Sequence, residues 1–283
     1  MDRTAGEKGY CSLCGEVVVS RILPHHGEEP PISGDRGAGT IFFSSCNLRC
    51  VFCQNYQISF DAAGSRTGGS DLSAGMLRLQ QEGCHNVEAV TPTPHLPGII
   101  EALFDARRKG LDIPFVYNCG GYENPRVLKE LDGIVDIYLP DFKYGRAQEA
   151  EVLAEAGDYP EYAVESIREM IRQVGGSLEV REDVAVSGII IRHLVLPGMT
   201  ENSMAVLKLI RERLSTGMPI SIMSQYTPVA PVADHPLLGR RVTKEEYDIV
   251  VDYALDLGFE TIFIQDVDER QMTPDFEKDN PFG

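Results

Sequence analysis

The sequence has few basic residues and no long apolar run. Lys and Arg number 26 against 43 Asp and Glu, which gives a formal net charge of −17 at pH 7. Because nucleic-acid binding depends on basic side chains that neutralise phosphates, we expect no nucleic-acid partner. No apolar stretch approaches the roughly 18–20 residues that span a bilayer, and the N-terminus lacks the apolar core of a signal peptide. We therefore expect a cytoplasmic protein without a membrane partner.

Internal repeats, low-complexity tracts and obvious linkers are also absent. The chain of 283 residues is long enough for one large α/β barrel or for two ordinary domains. From residue 39 onward, apolar or β-branched runs alternate with amphipathic stretches. The runs predict strands at 39–44, 86–91, 113–118, 134–142, 188–196, 219–224 and 260–265. The amphipathic stretches predict helices at 71–83, 96–110, 162–176, 201–217 and 243–258, the last with Thr243 as its N-cap.

This alternation predicts an α/β fold, with a mostly parallel sheet and helices outside it. About six such β/α units suit a full or partial (β/α) barrel. We expect residues 1–36 to form a short N-terminal extension and residues 37–265 to form the barrel. Residues 266–283 are polar, and the sequence leaves open whether they form a lid or a free tail.

The residues whose side chains could bind ligands or take part in catalysis follow the predicted strands, where barrels place their active sites. A group of cysteines follows the first strand, and TPTPH (91–95) follows the second. NCGGYE (118–123) and DFK (141–143) follow the third and fourth strands. This agreement of position across four strands predicts one site at the C-terminal end of the barrel.

Three of the seven cysteines lie within eight residues, as Cys46, Cys50 and Cys53. An odd number of cysteines in a chain expected to be cytoplasmic favours free thiols and metal ligands over disulfides. The spacing C-x3-C-x2-C lets one loop wrap three thiolates around a metal cluster, which would leave one iron of a [4Fe–4S] cluster open. The alternative is a four-thiolate zinc site that joins Cys50 and Cys53 to Cys11 and Cys14.

The C-x3-C-x2-C motif with Phe52 before its third cysteine resembles the signature of the radical S-adenosylmethionine (SAM) superfamily. Within that superfamily the chain is similar to the homologues of pyruvate formate-lyase activating enzyme, from about Gly9 to Gln265. The segments that carry this resemblance are HHGEEPPISG (25–34), GTIFFSSCNLRCVFCQNYQIS (39–59), VTPTPH (90–95), VYNCGGYE (116–123), YLPDFKY (138–144) and IRHLVLPG (191–198).

The resemblance implies a radical SAM oxidoreductase that binds a [4Fe–4S] cluster and SAM. The cluster would cleave SAM to methionine and a 5′-deoxyadenosyl radical, which would abstract hydrogen from a glycine of a glycyl-radical protein. The expected partners are that protein and an external electron donor of the flavodoxin or ferredoxin type.

The resemblance also implies the residues that serve each ligand. Cys46, Cys50 and Cys53 would be the catalytic cluster ligands. The expected SAM contacts are Phe52, Gln54, Thr91, Thr93, Asn118, Asp141, Lys143 and Arg192. Activating enzymes use a Gly-Gly-Glu segment for the SAM amino group, and this chain has TPTPH at that position. Gln225 or Tyr226 would have to replace a family histidine near the end of the sixth strand.

The sequence is also compatible with two other functions. A radical SAM enzyme could act on a small molecule or peptide, and such an enzyme should close its barrel with its own C-terminal segment. A non-catalytic zinc or iron–sulfur protein would also use the cysteines. Cys11 and Cys14 could form a second metal site, whereas we expect Cys84 and Cys119 to be small buried residues.

Overall fold

The computed structural model describes residues 2–60, 63–267 and 273–283. The strands in this part of the chain are β1 (Val18–His25), β2 (Ala38–Phe43), β3 (Ser65–Arg66), β4 (Val87–Val90), β5 (Phe115–Cys119), β6 (Ile137–Pro140), β7 (Leu178–Arg181), β8 (Val184–Ile189), β9 (Ile191–Leu194), β10 (Ile220–Met223) and β11 (Ile262–Ile264). The helices are α1 (Pro30–Ser33), α2 (Tyr56–Ser59), α3 (Gly69–Gln81), α4 (Leu96–Arg108), α5 (Pro125–Leu128), α6 (Ala147–Ala154), α7 (Tyr159–Val174), α8 (Thr200–Arg213) and α9 (Lys244–Asp256).

The strands form a mostly parallel sheet that curves into a partial barrel. One sheet has the order β3-β1-β2-β4-β5-β6-β8-β7, and a second has the order β11-β10-β9. Pairing is parallel from β2 through β6 to β8, and again from β9 to β11. An isolated parallel bridge between Asp141 and Arg192 joins the two sheets. The predicted α/β fold with a partial barrel is therefore confirmed.

Two features of the sheet differ from the sequence prediction. β1 lies within the residues predicted as an N-terminal extension, yet it pairs antiparallel with β2 from Val19 to His25, with a register shift between Val19 and Arg21. The single strand predicted at 188–196 is divided at Ile190 into β8 and β9. β8 pairs with β6 and with the added strand β7, whereas β9 pairs with β10.

The two faces of the strands build two different cores. Side chains such as Ile41, Ala89 and Tyr117 pack outward against the helices in the main hydrophobic cluster. Val116, Ile137, Leu139 and Ile190 point into the barrel, where they pack around Ile32 of α1. Because this cluster joins Ile32 to residues at the start of strands, such as Ala38 of β2 and Ile137 of β6, α1 closes the N-terminal end of the barrel. Polar interior residues nearer the other end are left to line a cavity.

The helices follow the local signals in the sequence. α9 begins after Thr243, whose hydroxyl accepts from the Glu246 amide while the Glu246 carboxylate accepts from the Thr243 amide. This capping box confirms the predicted N-cap. No helix in the described ranges combines the length and apolar character needed to cross a membrane.

Candidate functional site

A cavity of about 970 Å³ opens at the C-terminal ends of the barrel strands. Its walls come from the cysteine loop after β2, from the ends of β4, β5, β6, β9 and β10, and from the segment 273–283. A cavity of this size is in the range of small-molecule and cofactor sites. It therefore gathers the residues that follow successive strands into one place.

The cysteine loop places all three of its thiols on this cavity. Cys46 Sγ accepts from the Leu48 amide at 3.4 Å, and the Tyr144 hydroxyl donates to Cys50 Sγ at 3.4 Å. Burial raises the pKa of the Cys46 thiol to about 12 and that of the Cys50 thiol to about 11. Three sulfurs on one loop that line one cavity are a donor set suited to a metal that displaces their protons.

Lys143 lines the same cavity as the three cysteines and forms an ion pair with Asp141. Burial lowers the pKa of Lys143, but the Asp141 carboxylate and the Cys50 sulfur raise it more, so the net direction is upward. The Tyr159 hydroxyl accepts from the Lys143 amide at 2.8 Å and lies 2.9 Å from the Asp141 carbonyl oxygen. The predicted Asp-x-Lys pair thus supplies a fixed cation beside the three sulfurs.

The backbone of this pair depends on Gly121 in the loop after β5. Gly121 has a φ of +73°, and a Cβ built there would lie 2.0 Å from the Asp141 carbonyl oxygen. Only glycine permits both the left-handed backbone and this close approach. Gly120 instead lines the cavity, so the two glycines of NCGGYE have different roles.

Arg192 lies in a buried ion-pair cluster inside the barrel. Its Nε donates to the two carboxylate oxygens of Glu29 at 3.0 and 3.1 Å, and its Nη2 contacts both Glu28 and Glu29. Burial lowers the pKa of Arg192, but the Glu29 and Glu28 carboxylates raise it well above its usual range. The predicted SAM contact therefore lines the cavity with much of its guanidinium already bound to protein carboxylates.

Of the three SAM contacts predicted at the ends of β4 and β5, two line the cavity and one does not. Thr91 and Asn118 both line the cavity, and the Thr91 amide donates to the Asn118 carbonyl at 2.9 Å. Thr93 lies away from it, because the turn that begins at Pro92 directs its hydroxyl to Glu123 at 2.7 Å. Burial raises the pKa of Glu123 to about 7.

Phe52 and Gln54 both line the cavity beside the cysteines. Phe52 is edge-on to Tyr144 and Tyr226, with ring centroids 6.2 Å apart in each pair. Gln54 Nε2 donates to the Gln225 carbonyl at 3.3 Å. Gln225 also lines the cavity, whereas the Tyr226 hydroxyl is buried and donates to the Leu238 carbonyl at 2.7 Å.

The four remaining cysteines are free thiols. Cys84 is buried, and so is Cys119 at the end of β5, although Cys119 also lines the cavity. Cys11 and Cys14 are partly exposed, in a turn held to the cysteine loop where the Ser45 hydroxyl contacts the Cys11 carbonyl. Within the described ranges, no three histidine, cysteine, aspartate or glutamate side chains converge as around a single metal ion. The second metal site at Cys11 and Cys14 stays a prediction.

The C-terminal segment 273–283 forms part of the cavity wall. The Arg21 guanidinium donates to the carbonyls of Phe276 and Lys278 at 2.7 and 2.8 Å, and the Phe276 amide donates to Gln57 at 2.9 Å. Phe282 packs on His25 with ring centroids 4.1 Å apart. Part of the predicted tail or lid, residues 268–272, lies outside the described residues.

The sequence patterns do not identify several groups that line the cavity or lie behind its wall. Tyr144 is buried and donates to Cys50, which is distant in the chain, so no local pattern links the two residues. Glu28 and Glu29 lie in HHGEE, which has the composition of a site but no spacing that identifies one. Glu88 could have been identified from the sequence, because an acidic residue within the otherwise apolar, buried run of β4 is unusual.

The comparisons with sequences of known proteins give distant relatives. A scan against models of protein families finds no match. An uncharacterised protein of Methanocaldococcus jannaschii is 29% identical over 266 residues, which are 91% of this chain and 72% of that protein. Lipoyl synthase of Bacteroides fragilis is 23% identical over 159 residues, which are 53% of this chain and 54% of the synthase.

The comparisons with solved structures show the fold. SuiB of Streptococcus suis matches with a TM-score of 0.53 and 12% identity, over 79% of this chain and 47% of SuiB. HydG, a maturase of the [FeFe]-hydrogenase, matches with a TM-score of 0.54 and 13% identity, over 83% of this chain and 53% of HydG. The chain spans about half the length of each of these proteins and shares their partial barrel.

Proposed function

We propose that this protein is a radical SAM enzyme, which cleaves SAM reductively and abstracts a hydrogen atom from its substrate. The observation that carries the proposal is that Cys46, Cys50 and Cys53 line one cavity together with Lys143. The shared fold supports it, because SuiB and HydG are radical SAM enzymes. SuiB has been solved with SAM bound, which supports SAM as a ligand of this fold.

The residues at the cavity fit the two ligands of such an enzyme. Cys46, Cys50 and Cys53 would hold a [4Fe–4S] cluster, and Asp141 and Lys143 would meet the amino-acid end of SAM. When bound, the cluster supplies the electron that splits SAM into methionine and a 5′-deoxyadenosyl radical. The Lys143 ammonium is suited to a ligand carboxylate, because Asp141 and Tyr159 fix its position beside the sulfurs.

The proposed substrate by resemblance is a glycine of a glycyl-radical protein, with a flavodoxin or ferredoxin as the electron donor. A second candidate is a small molecule or peptide. The second candidate is favoured by the segment 273–283, which lines the cavity and is held there by Arg21 and Gln57. A dedicated activator needs an open face through which a loop of another protein can enter.

Cluster binding can be tested with single cysteine variants. We expect the anaerobically purified protein to contain iron and sulfide in equal amounts. Cys46→Ala, Cys50→Ala and Cys53→Ala should each lose most of this iron while the fold is retained. Cys84→Ala is the matched control and should keep it. A colourless protein with one zinc would contradict the proposal, and loss of folding in Cys46→Ala would favour a structural metal site.

The source of the abstracted hydrogen separates the two substrate candidates. Cells that contain this protein are grown in deuterated medium, and their extract is divided into a protein fraction and a low-molecular-mass ultrafiltrate. Each fraction is added to the reconstituted enzyme with SAM and dithionite, and deuterium in 5′-deoxyadenosine is measured by mass spectrometry. A glycyl-radical target predicts transfer from the protein fraction, whereas a small molecule predicts transfer from the ultrafiltrate.

A further inference from the structure

Thr91 has a backbone conformation that is rare for its residue type. Its φ is +57°, in the left-handed region that β-branched residues seldom adopt. The residue lies directly after β4 on the cavity wall. Strain of this kind persists at functional positions, where the surrounding structure holds it in place. No group in the described part of the chain hydrogen-bonds to the Thr91 hydroxyl, so this oxygen is available to a ligand.

Asn118 presents a second oxygen beside Thr91. Its Nδ2 donates to Glu88 Oε1 at 2.7 Å. This hydrogen bond directs the amide nitrogen towards Glu88 and leaves Oδ1 on the other side of the amide group. No donor among the residues with described positions reaches Oδ1, and Asn118 lines the cavity. The Thr91 amide bonds to the Asn118 carbonyl at 2.9 Å, so the two residues are neighbours.

Glu88 fixes the orientation of this amide from inside the barrel. Both of its oxygens are used, since Thr40 Oγ1 lies 2.9 Å from Oε2 and Asn118 Nδ2 lies 2.7 Å from Oε1. Burial raises the pKa of Glu88 to about 8. A proton on Oε2 can be donated to Thr40, which leaves Oε1 as the acceptor for Asn118. The amide orientation is therefore the same whether Glu88 is neutral or charged.

We infer that Asn118 Oδ1 and Thr91 Oγ1 accept from the α-amino group of SAM, with Glu88 as a positioning residue behind Asn118. This inference rests on the proposed function and supplies the acceptors that the missing Gly-Gly-Glu segment would provide. An amino group donates through its N–H bonds and needs acceptors that are not already bonded. Lys143 lies on the same cavity for the carboxylate, so the two ends of the amino acid would be held by different strands.

The test measures the dissociation constants of two ligands for the cluster-loaded protein. The ligands are SAM and a SAM analogue in which a hydroxyl replaces the α-amino group. We expect Asn118→Ala to weaken SAM binding about tenfold, as for one lost hydrogen bond. Thr91→Val should weaken SAM binding about tenfold or less. Neither variant should change the affinity for the analogue by a comparable factor.

Further variants separate positioning from folding. Glu88→Gln can still accept from Asn118 and should retain SAM affinity, whereas Glu88→Leu should lose it. Thr261→Val, at an exposed position, is the control for Thr91→Val. The melting temperature of each variant is recorded without SAM, so that unfolding is recognised directly.

The outcomes distinguish this inference from the proposed function. If the wild-type protein with an intact cluster does not bind SAM, the proposed function fails. If the wild type binds SAM and Asn118→Ala binds it equally well, the inference is wrong while the function stands. A variant that loses SAM and the analogue to the same extent would also overturn the inference, because the α-amino group would not be the group that these residues bind.

Discussion

Glu88 shows how a single residue can set the pH dependence of this fold. Its side chain is fully buried on β4, between Thr40 and Asn118. Burial raises its pKa from an ordinary value of 4.5 to about 8, and the nearby Glu28 carboxylate adds to the shift. The native state therefore holds a proton that the unfolded chain releases at lower pH. Stability from this residue is present below about pH 4.5 and is lost as the pH rises towards 8.

Glu88→Gln should stabilise the protein at pH 8, because Gln keeps the hydrogen bonds without a titrating proton. We expect a gain of roughly 1–4 kcal/mol at pH 8 and much less at pH 5. The measurement is the free energy of unfolding in denaturant at both pH values. Glu260→Gln, at an exposed position, is the control. A loss of stability at pH 8 would mean that the native protein needs an ionised Glu88.

Gly121 controls the position of the Asp141–Lys143 pair through its backbone. Gly121→Ala would place a Cβ within 2.0 Å of the Asp141 carbonyl oxygen in a left-handed conformation. We expect a loss of roughly 2–4 kcal/mol in the free energy of unfolding. Gly69→Ala is the matched control, since nothing lies within 4 Å of a Cβ there and the helix should gain slightly. Equal melting temperatures for the two variants would contradict this account.

Among the elements, the parallel strands were readable from sequence because both of their faces are buried. β2, β4, β5 and β6 are short apolar runs, and such runs indicate buried strands. β1 has mixed polarity and contains Pro24, so its pattern gave no strand signal.

The hairpin of β7 and β8 lacks the usual turn signal. Glu182 and Asp183 both have positive φ at its turn, where Asn-Gly is the usual sequence. A sequence pattern cannot identify two non-glycine residues that are held in this conformation by the strands around them.

The site residues that the sequence predicts are those that lie close to one another in the chain. The three cysteines form one such local group and Asp141 with Lys143 forms another, so the spacing within each group supports the prediction. The contact of Arg192 with Glu28 spans 164 residues, and no spacing rule reaches that far. Thr93 was expected at the cavity with Thr91, but the turn at Pro92 separates them.

The segment 273–283 can be tested as an element through its main anchor. Arg21→Ala removes the donors to the Phe276 and Lys278 carbonyls, so the segment should open more often. We expect amide hydrogen exchange in 273–283 to rise about tenfold, as for the loss of one or two hydrogen bonds. Arg66→Ala is the control, because Arg66 is exposed and pairs with Glu16. Unchanged exchange would show that the aromatic contacts hold the segment without Arg21.

At the scale of the whole molecule, one end of the barrel is closed and the other end carries the cavity with the candidate site. α1 fills the N-terminal end with Ile32, while the cysteine loop and the segment 273–283 border the cavity at the other end. The three sulfurs, the Lys143 ammonium and the Asn118 amide arrive from three different strand ends. A partial barrel is the architecture that brings such ends together.

The central claim is that this cavity cleaves SAM, and one measurement tests it most directly. The protein is purified anaerobically, its cluster is reconstituted, and SAM and dithionite are added. We predict 5′-deoxyadenosine and methionine in equal amounts, and none from Cys50→Ala treated in the same way. A wild-type protein that carries an intact cluster, binds SAM and yet forms no 5′-deoxyadenosine under these conditions would contradict the account.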